Sequence, residues 1–140
     1  MLPYREFRRL HTRAYRAQQR EQSEVVGLLV SGVRRRLGLA FLKNHSDRPG
    51  HFEVQSAAVT AERQRARSRG ARVVGLFHSH PVSPAALGPG DRRGAMPNSL
   101  QLIYDVCGLD ARLWWVSRRA GRKRVSEVAL KVERGRRAAS

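Results

Sequence analysis

The stretch "RVVGLFHSH", residues 72–80, constrains this chain more than any other. It is short, apolar and rich in β-branched valine, with Gly70 before it and Pro81 after it. A run of that length bounded by turn residues predicts a buried strand. Its last residues include two histidines two positions apart. Side chains alternate faces along a strand, so His78 and His80 project to the same side. Two readings are open. The pair is polar punctuation where strand gives way to loop, or it is two ligands for one metal ion.

The rest of the chain supplies neighbours for that strand. Residues 3–21 predict a helix, with Leu10, Ala14 and Ala17 near one face. "EVVGLLVSG", 24–32, predicts a first strand, and "VRRRLGLAFLKN" a second, joined as a hairpin around Ser31-Gly32. "HSDRPG", 45–50, is a loop and "HFEVQ", 51–55, a third short strand. "SAAVTAERQRARSRG" predicts a second helix, with Ser56 as N-cap and Gly70 as its stop. After the fourth strand, residues 81–98 hold four of the six prolines and read as loop. "SLQLIYDV", "RLWWVS" and "RVSEVALKV" give three further strands. The fold class is therefore α/β, one mixed sheet flanked by helices. We expect one domain over residues 1–131 and a basic, disordered tail over 132–140.

Composition narrows the classes. The chain has 140 residues, 41% of them hydrophobic, which suits one folded domain with one core. No apolar run approaches the roughly 20 residues that cross a bilayer. The polar N-terminal stretch lacks a signal core, so the expected location is the cytoplasm, with no membrane partner. The single cysteine, Cys107, excludes an internal disulfide framework and reads as a small buried residue on a strand. The net charge of +17 favours acidic partners, an acidic protein surface among them. Lys43, Lys123 and Lys131 are the only lysines among 28 basic residues, and the arginines are scattered along the chain as solvated faces. With aromatic residues at 6%, a base-stacking platform is poorly supported, and nucleic acid is not the expected partner.

His78 and His80 need a third ligand if they hold a catalytic metal. Asp91 follows His80 after the flexible stretch "PVSPAALGPG", which can turn the chain back. Two histidines and an aspartate with an open fourth position describe a hydrolytic zinc site. Such chemistry also needs a base. Glu24 is the one acid between Ser23 and Asn44, and it heads the first apolar strand. Read singly, each of these residues also has a plain structural role. His45, His51 and Asp47 read as loop polarity near the cleft, and His11 as a surface residue of the first helix. Tyr104 and Asp105 read as structural. Trp114 and Trp115 fall on opposite faces of one strand, one in the core and one as cover.

Glu24 with "VVGLLVSG", then "GLFHSHP" and Asp91, together resemble the JAMM/MPN family of zinc isopeptidases, prokaryotic JAB type. The resemblance covers roughly residues 20–118. It implies a cytidine-deaminase-like α/β sandwich with one Zn²⁺ per chain on His78, His80 and Asp91. It also implies that Glu24 is the general base and proton shuttle. The position of the family's oxyanion serine is Gly88 here. A backbone N–H, Ser83 or Ser79 would have to substitute, and Ser79 points to the other strand face as a supporting residue. The activity implied is hydrolysis of a peptide or isopeptide bond at the C-terminus of a ubiquitin-like protein. The partner implied is that modifier or its conjugate. Gly88 keeps a second class open, an MPN-like binding module with little catalysis. Charge alone argues for a third, a basic nucleic-acid-binding protein.

Overall fold

The computed structural model describes residues 1–21, 23–88, 91 and 96–133. β1 (Leu2–Pro3) leads directly into α1 (Tyr4–Glu21). β2 (Val26–Ser31) and β3 (Leu37–Leu42) follow, then α2 (Ser56–Ser68) and β4 (Arg72–His80). β5 (Ser99–Asp105), β6 (Asp110–Arg119), β7 (Arg122–Val128) and β8 (Val132–Glu133) complete the chain. The main sheet has the order β3-β2-β4-β5-β6-β7. Only β4 and β5 are parallel within it, so the sheet is mixed. β1 and β8 form a separate parallel pair. Among the described residues no helix is long and apolar enough to cross a membrane.

β4 sits inside the sheet because both its neighbours bury it. Its Phe77 face points to α1, whose Phe7, Leu10 and Ala14 pack over Leu29, Phe77, Leu102 and Tyr104. Leu10 is fully buried, which stabilises the fold by about 1.5–3 kcal/mol. Gly27 leaves room for the Phe77 ring, since a Cβ there would collide with that ring and with the Ala40 carbonyl. The opposite face carries His78 and His80. There Ala85 and Leu87, from the loop after β4, pack on Ile103 and Val116. Trp114 ties that loop down by donating its indole N–H to the Ala85 carbonyl at 3.1 Å.

Several local expectations are corrected. Residues 51–55 are not a strand. The Asn44 carboxamide oxygen accepts from the Ser46 and Glu53 amides at 2.9 and 3.0 Å, replacing ladder bonds. Ser56 is the first helical residue, not the cap; Gln55 takes the cap position without a side-chain bond. The β2–β3 connection is longer than a Ser-Gly turn and includes a 3₁₀ turn, Val33–Arg35. The final expected strand divides into β7 and β8 because β8 turns away to pair with β1. Val132 and Glu133 therefore lie in a strand, while residues 134–140 lie outside the described residues. Cys107 is exposed in the β5–β6 turn, not buried on a strand, and its thiol donates to the Pro81 carbonyl. His11 is half-buried with Nδ1 2.5 Å from the Tyr104 hydroxyl, because α1 lays it across β5.

Candidate metal centre

Strand register brings the candidate residues together. Val26 pairs with His78 in antiparallel register. The same step carried two residues outward sets Glu24 opposite His80 on the same face. The sheet's edge is fixed there by Ser79, on the other face. Its hydroxyl accepts from the Val25 amide at 2.8 Å, and its own amide donates to the Val25 carbonyl at 2.9 Å. Asn44 holds the next residue, donating to the Glu24 carbonyl at 2.9 Å and to the His51 carbonyl at 3.0 Å. The backbone of Glu24 is thus gripped from both sides. Glu24, His78 and His80 are all buried, and one ligand atom from each lies within 4.8 Å of the others.

Asp91 joins them from a helical position, so the expected loop over 81–98 is interrupted there. One carboxylate oxygen lies 3.2 Å from His78 Nε2, the other 3.3 Å from His80 Nε2. The two Nε2 atoms are 3.0 Å apart. Tetrahedral zinc with bonds of about 2.0–2.1 Å puts its ligand atoms about 3.3–3.4 Å from one another. The two Asp91 contacts, made by different carboxylate oxygens, lie near that spacing, and the two Nε2 atoms sit a few tenths of an ångström closer than it. The Gly88 amide donates to Asp91 Oδ2 at 3.0 Å, which aims the carboxylate at the histidines.

The tautomer of His80 follows from its partner. Its Nδ1 lies 2.7 Å from the Pro84 carbonyl, which can only accept, so Nδ1 carries the proton. The Nε2 lone pair is then free to face the centre. The His78 Nδ1 is buried with no hydrogen-bond partner among the described residues. That ring is set instead by stacking on Phe52, with centroids 4.9 Å apart.

Burial and charge act differently on each group. Burial holds His78 below its ordinary value, the neutral form that offers a lone pair. Burial also pulls on His80, but hydrogen bonds to Asp91 and the Pro84 carbonyl outweigh it and the net shift is upward. Burial would raise Asp91, but its bonds to both histidines and the Gly88 amide hold it well below the carboxylate range. Burial pushes Glu24 up to about 8, with the His80 charge opposing and the Asp91 charge adding. A buried divalent cation would reverse that last shift and favour the carboxylate.

These residues open into a cleft of about 1050 Å³. Leu28, Phe52, Val59, Leu76 and Leu87 make its walls largely apolar. Ser83 is exposed and lines it, and Gly88 lines it with its amide already engaged by Asp91. His51 borders the cleft as loop polarity, and Tyr104 and Asp105 are structural, Asp105 accepting from the Gly108 amide. Sequence reasoning missed Asn44, Phe52 and Pro84. Their signals are a lone asparagine ending a strand, an aromatic in a polar loop and a carbonyl, none of which has a distinctive pattern.

The sequence model of the prokaryotic homologues of the JAB domain matches residues 7–117, a span that includes Glu24, His78, His80 and Asp91. No curated protein gives a significant match in sequence. Solved structures share the fold. A protein from Desulfitobacterium hafniense aligns with a TM-score of 0.76 and 23% identity, over 96% of this chain and 94% of that one. A JAB1/MPN domain protein from Archaeoglobus fulgidus gives 0.56 and 17%, over 95% of each chain. A structure described as a JAMM metalloprotease-like zinc site in the proteasome and signalosome gives 0.54 and 16%, over 95% of this chain and 96% of that one. By its fold and by the span of the match, the chain belongs to the prokaryotic JAB-domain family.

Proposed function

We propose that this protein is a zinc-dependent hydrolase of peptide or isopeptide bonds, acting at the C-terminus of a ubiquitin-like protein. The observation that carries the reading is the convergence of His78, His80 and Asp91 at 3.0–3.3 Å beside the buried Glu24. His78, His80 and Asp91 would hold the ion. When bound, zinc supplies Lewis acidity, polarising a carbonyl and acidifying water.

Glu24 moves the proton. As water adds to the carbonyl carbon, the Glu24 carboxylate takes its proton, then delivers it to the leaving nitrogen as the C–N bond breaks. The grip of Ser79 and Asn44 on residues 24 and 25 keeps that carboxylate in place through both transfers. The apolar cleft favours an extended peptide tail over a charged or bulky ligand.

The test is cleavage of a ubiquitin-like fusion protein. Wild type should release the tail, and Glu24→Gln should be slower by about 100-fold or more while keeping its metal. Equal rates would refute the base assignment. One observation favours a second reading, a binding module with little catalysis. The Gly88 amide is committed to Asp91 and supplies no free donor to an oxyanion. Tail binding without cleavage across cognate and non-cognate fusions would establish that alternative.

A further inference from the structure

We infer that α1 carries a docking surface for an acidic protein partner, separate from the cleft. Projected at 100° per residue, Arg5, Arg8, Arg9, Arg13, Arg16 and Arg20 fall within one half of the helix circumference. All are exposed, and Glu6 lies just past the Arg13 edge of this stripe. The opposite side holds Phe7, Leu10 and Ala14, buried against the sheet. The fold adds Arg36 to the group. Met1 accepts from the Leu37 amide at 2.8 Å and its amino group donates to the Arg35 carbonyl, closing the turn against the start of α1. The result is an arginine-lined recess of about 910 Å³.

Nearby carboxylates leave most of this charge uncompensated. Glu6 is spent on Arg9, at 3.0 and 3.2 Å, and on the Leu39 amide. Glu133 is spent on Arg36 at 3.4 Å. Among the described residues no carboxylate pairs with Arg5, Arg8, Arg13, Arg16 or Arg20. Two guanidiniums are nonetheless held on one ring, Arg9 at 5.0 Å and Arg13 at 4.1 Å from the Phe41 centroid. Held over the ring, both guanidiniums are ordered beforehand; Arg9 is already paired with Glu6, which leaves Arg13 to meet an anion. Like charges held together gain most when an anion arrives between them.

The composition favours protein over nucleic acid. Tyr4 and Tyr15 lie at the edge of the stripe, 43% and 50% exposed, and no lysine occurs in α1. Arginine and tyrosine without lysine is the composition of protein–protein contact surfaces. The stripe from Arg5 to Arg20 rises about 22 Å, enough for a short acidic segment. Its Arg5–Arg13 end also lies apart from the cleft, while the Arg20 end runs toward it, where Gln18 bonds the carbonyl of cleft-lining Pro81. α1 covers the sheet face opposite His78, and β2 runs about 20 Å from the Glu24 end to the turn bearing Arg36. The stripe lies on the face away from the metal ligands, and the inference does not rest on hydrolysis.

The test compares two charge-matched triple variants of the full chain. One carries Arg5→Glu, Arg8→Glu and Arg16→Glu; the other carries Arg118→Glu, Arg119→Glu and Arg122→Glu, on the exposed β6–β7 hairpin. The probes are a poly-glutamate peptide of about ten residues, long enough to span the stripe when extended, and a DNA duplex. Unfolding midpoints confirm that each variant is folded. We expect peptide affinity to fall about tenfold or more for the α1 variant and less than about twofold for the hairpin variant. Equal losses in the two variants would overturn the proposal, since charge in general would then explain binding. Loss of duplex binding with peptide affinity intact would overturn it in favour of nucleic acid.

Discussion

Burying Glu24 leaves a pH signature in the metal-free protein. Burial lifts its carboxyl from the ordinary 4.5 to about 8, with the His80 charge opposing and the Asp91 charge adding. A folded-state value above the unfolded one means that the folded chain binds the proton more tightly. The linked stability is complete below about 4.5 and is lost as pH rises through about 8. At about 1.4 kcal/mol per pH unit that gap sets a ceiling of about 5 kcal/mol, and water entering the cleft reduces it to about 2–3 kcal/mol. Glu24→Gln preserves the size of the side chain and has no proton to lose. The metal-free variant should be about 2–3 kcal/mol more stable than wild type at about pH 9 and within about 1 kcal/mol of it at about pH 5. Urea unfolding followed by the fluorescence of Trp114 and Trp115, both half-buried on β6, reads the difference. Saturating zinc should close the gap at high pH, because the added positive charge stabilises the carboxylate. A difference that stays flat across the range would refute the burial argument.

Two further substitutions probe the support around the centre. A Cβ at Gly88 would meet Asp91 Oδ2 at 3.5 Å, an ordinary contact, so Gly88→Ser should fold. If the missing oxyanion donor limits turnover, this variant should cleave about 100- to 1,000-fold faster at unchanged zinc content, measured in single-turnover assays. Ser79→Ala removes the acceptor for the half-buried Val25 amide and should cost about 1 kcal/mol in urea unfolding. It should also lower the cleavage rate without loss of metal, since Glu24 adjoins the broken contact. An unchanged rate would show that Ser79 has no part in holding the base.

Much of this arrangement was legible because it depends on local pattern. The apolar run to His80 made a strand, and strand alternation put both histidines on one face. The departures arose where bonding is not local. The "HFEVQ" stretch has strand composition, but the side chain of Asn44 supplies the bonds a neighbouring strand would have given. Cys107 looked like part of a strand that ends two residues earlier, at Asp105. Glu24 stood out as the one acid between Ser23 and Asn44, heading the first strand, and the family resemblance gave it the role of base; the β2–β4 register, carried two residues outward, sets it beside His80. The role of Gly88 depends on its amide, which no residue pattern displays. The arginines of α1 looked scattered in the sequence, and only the helix and the packing of Arg36 beside it gather them.

The central claim is that His78, His80 and Asp91 are three ligands of one zinc ion. Elemental analysis of the purified protein measures this directly. About one zinc per wild-type chain is expected, with near-complete loss in His78→Ala and in Asp91→Ala and retention in Glu24→Gln. Wild-type protein that takes up no zinc, even after incubation with excess metal, would contradict it.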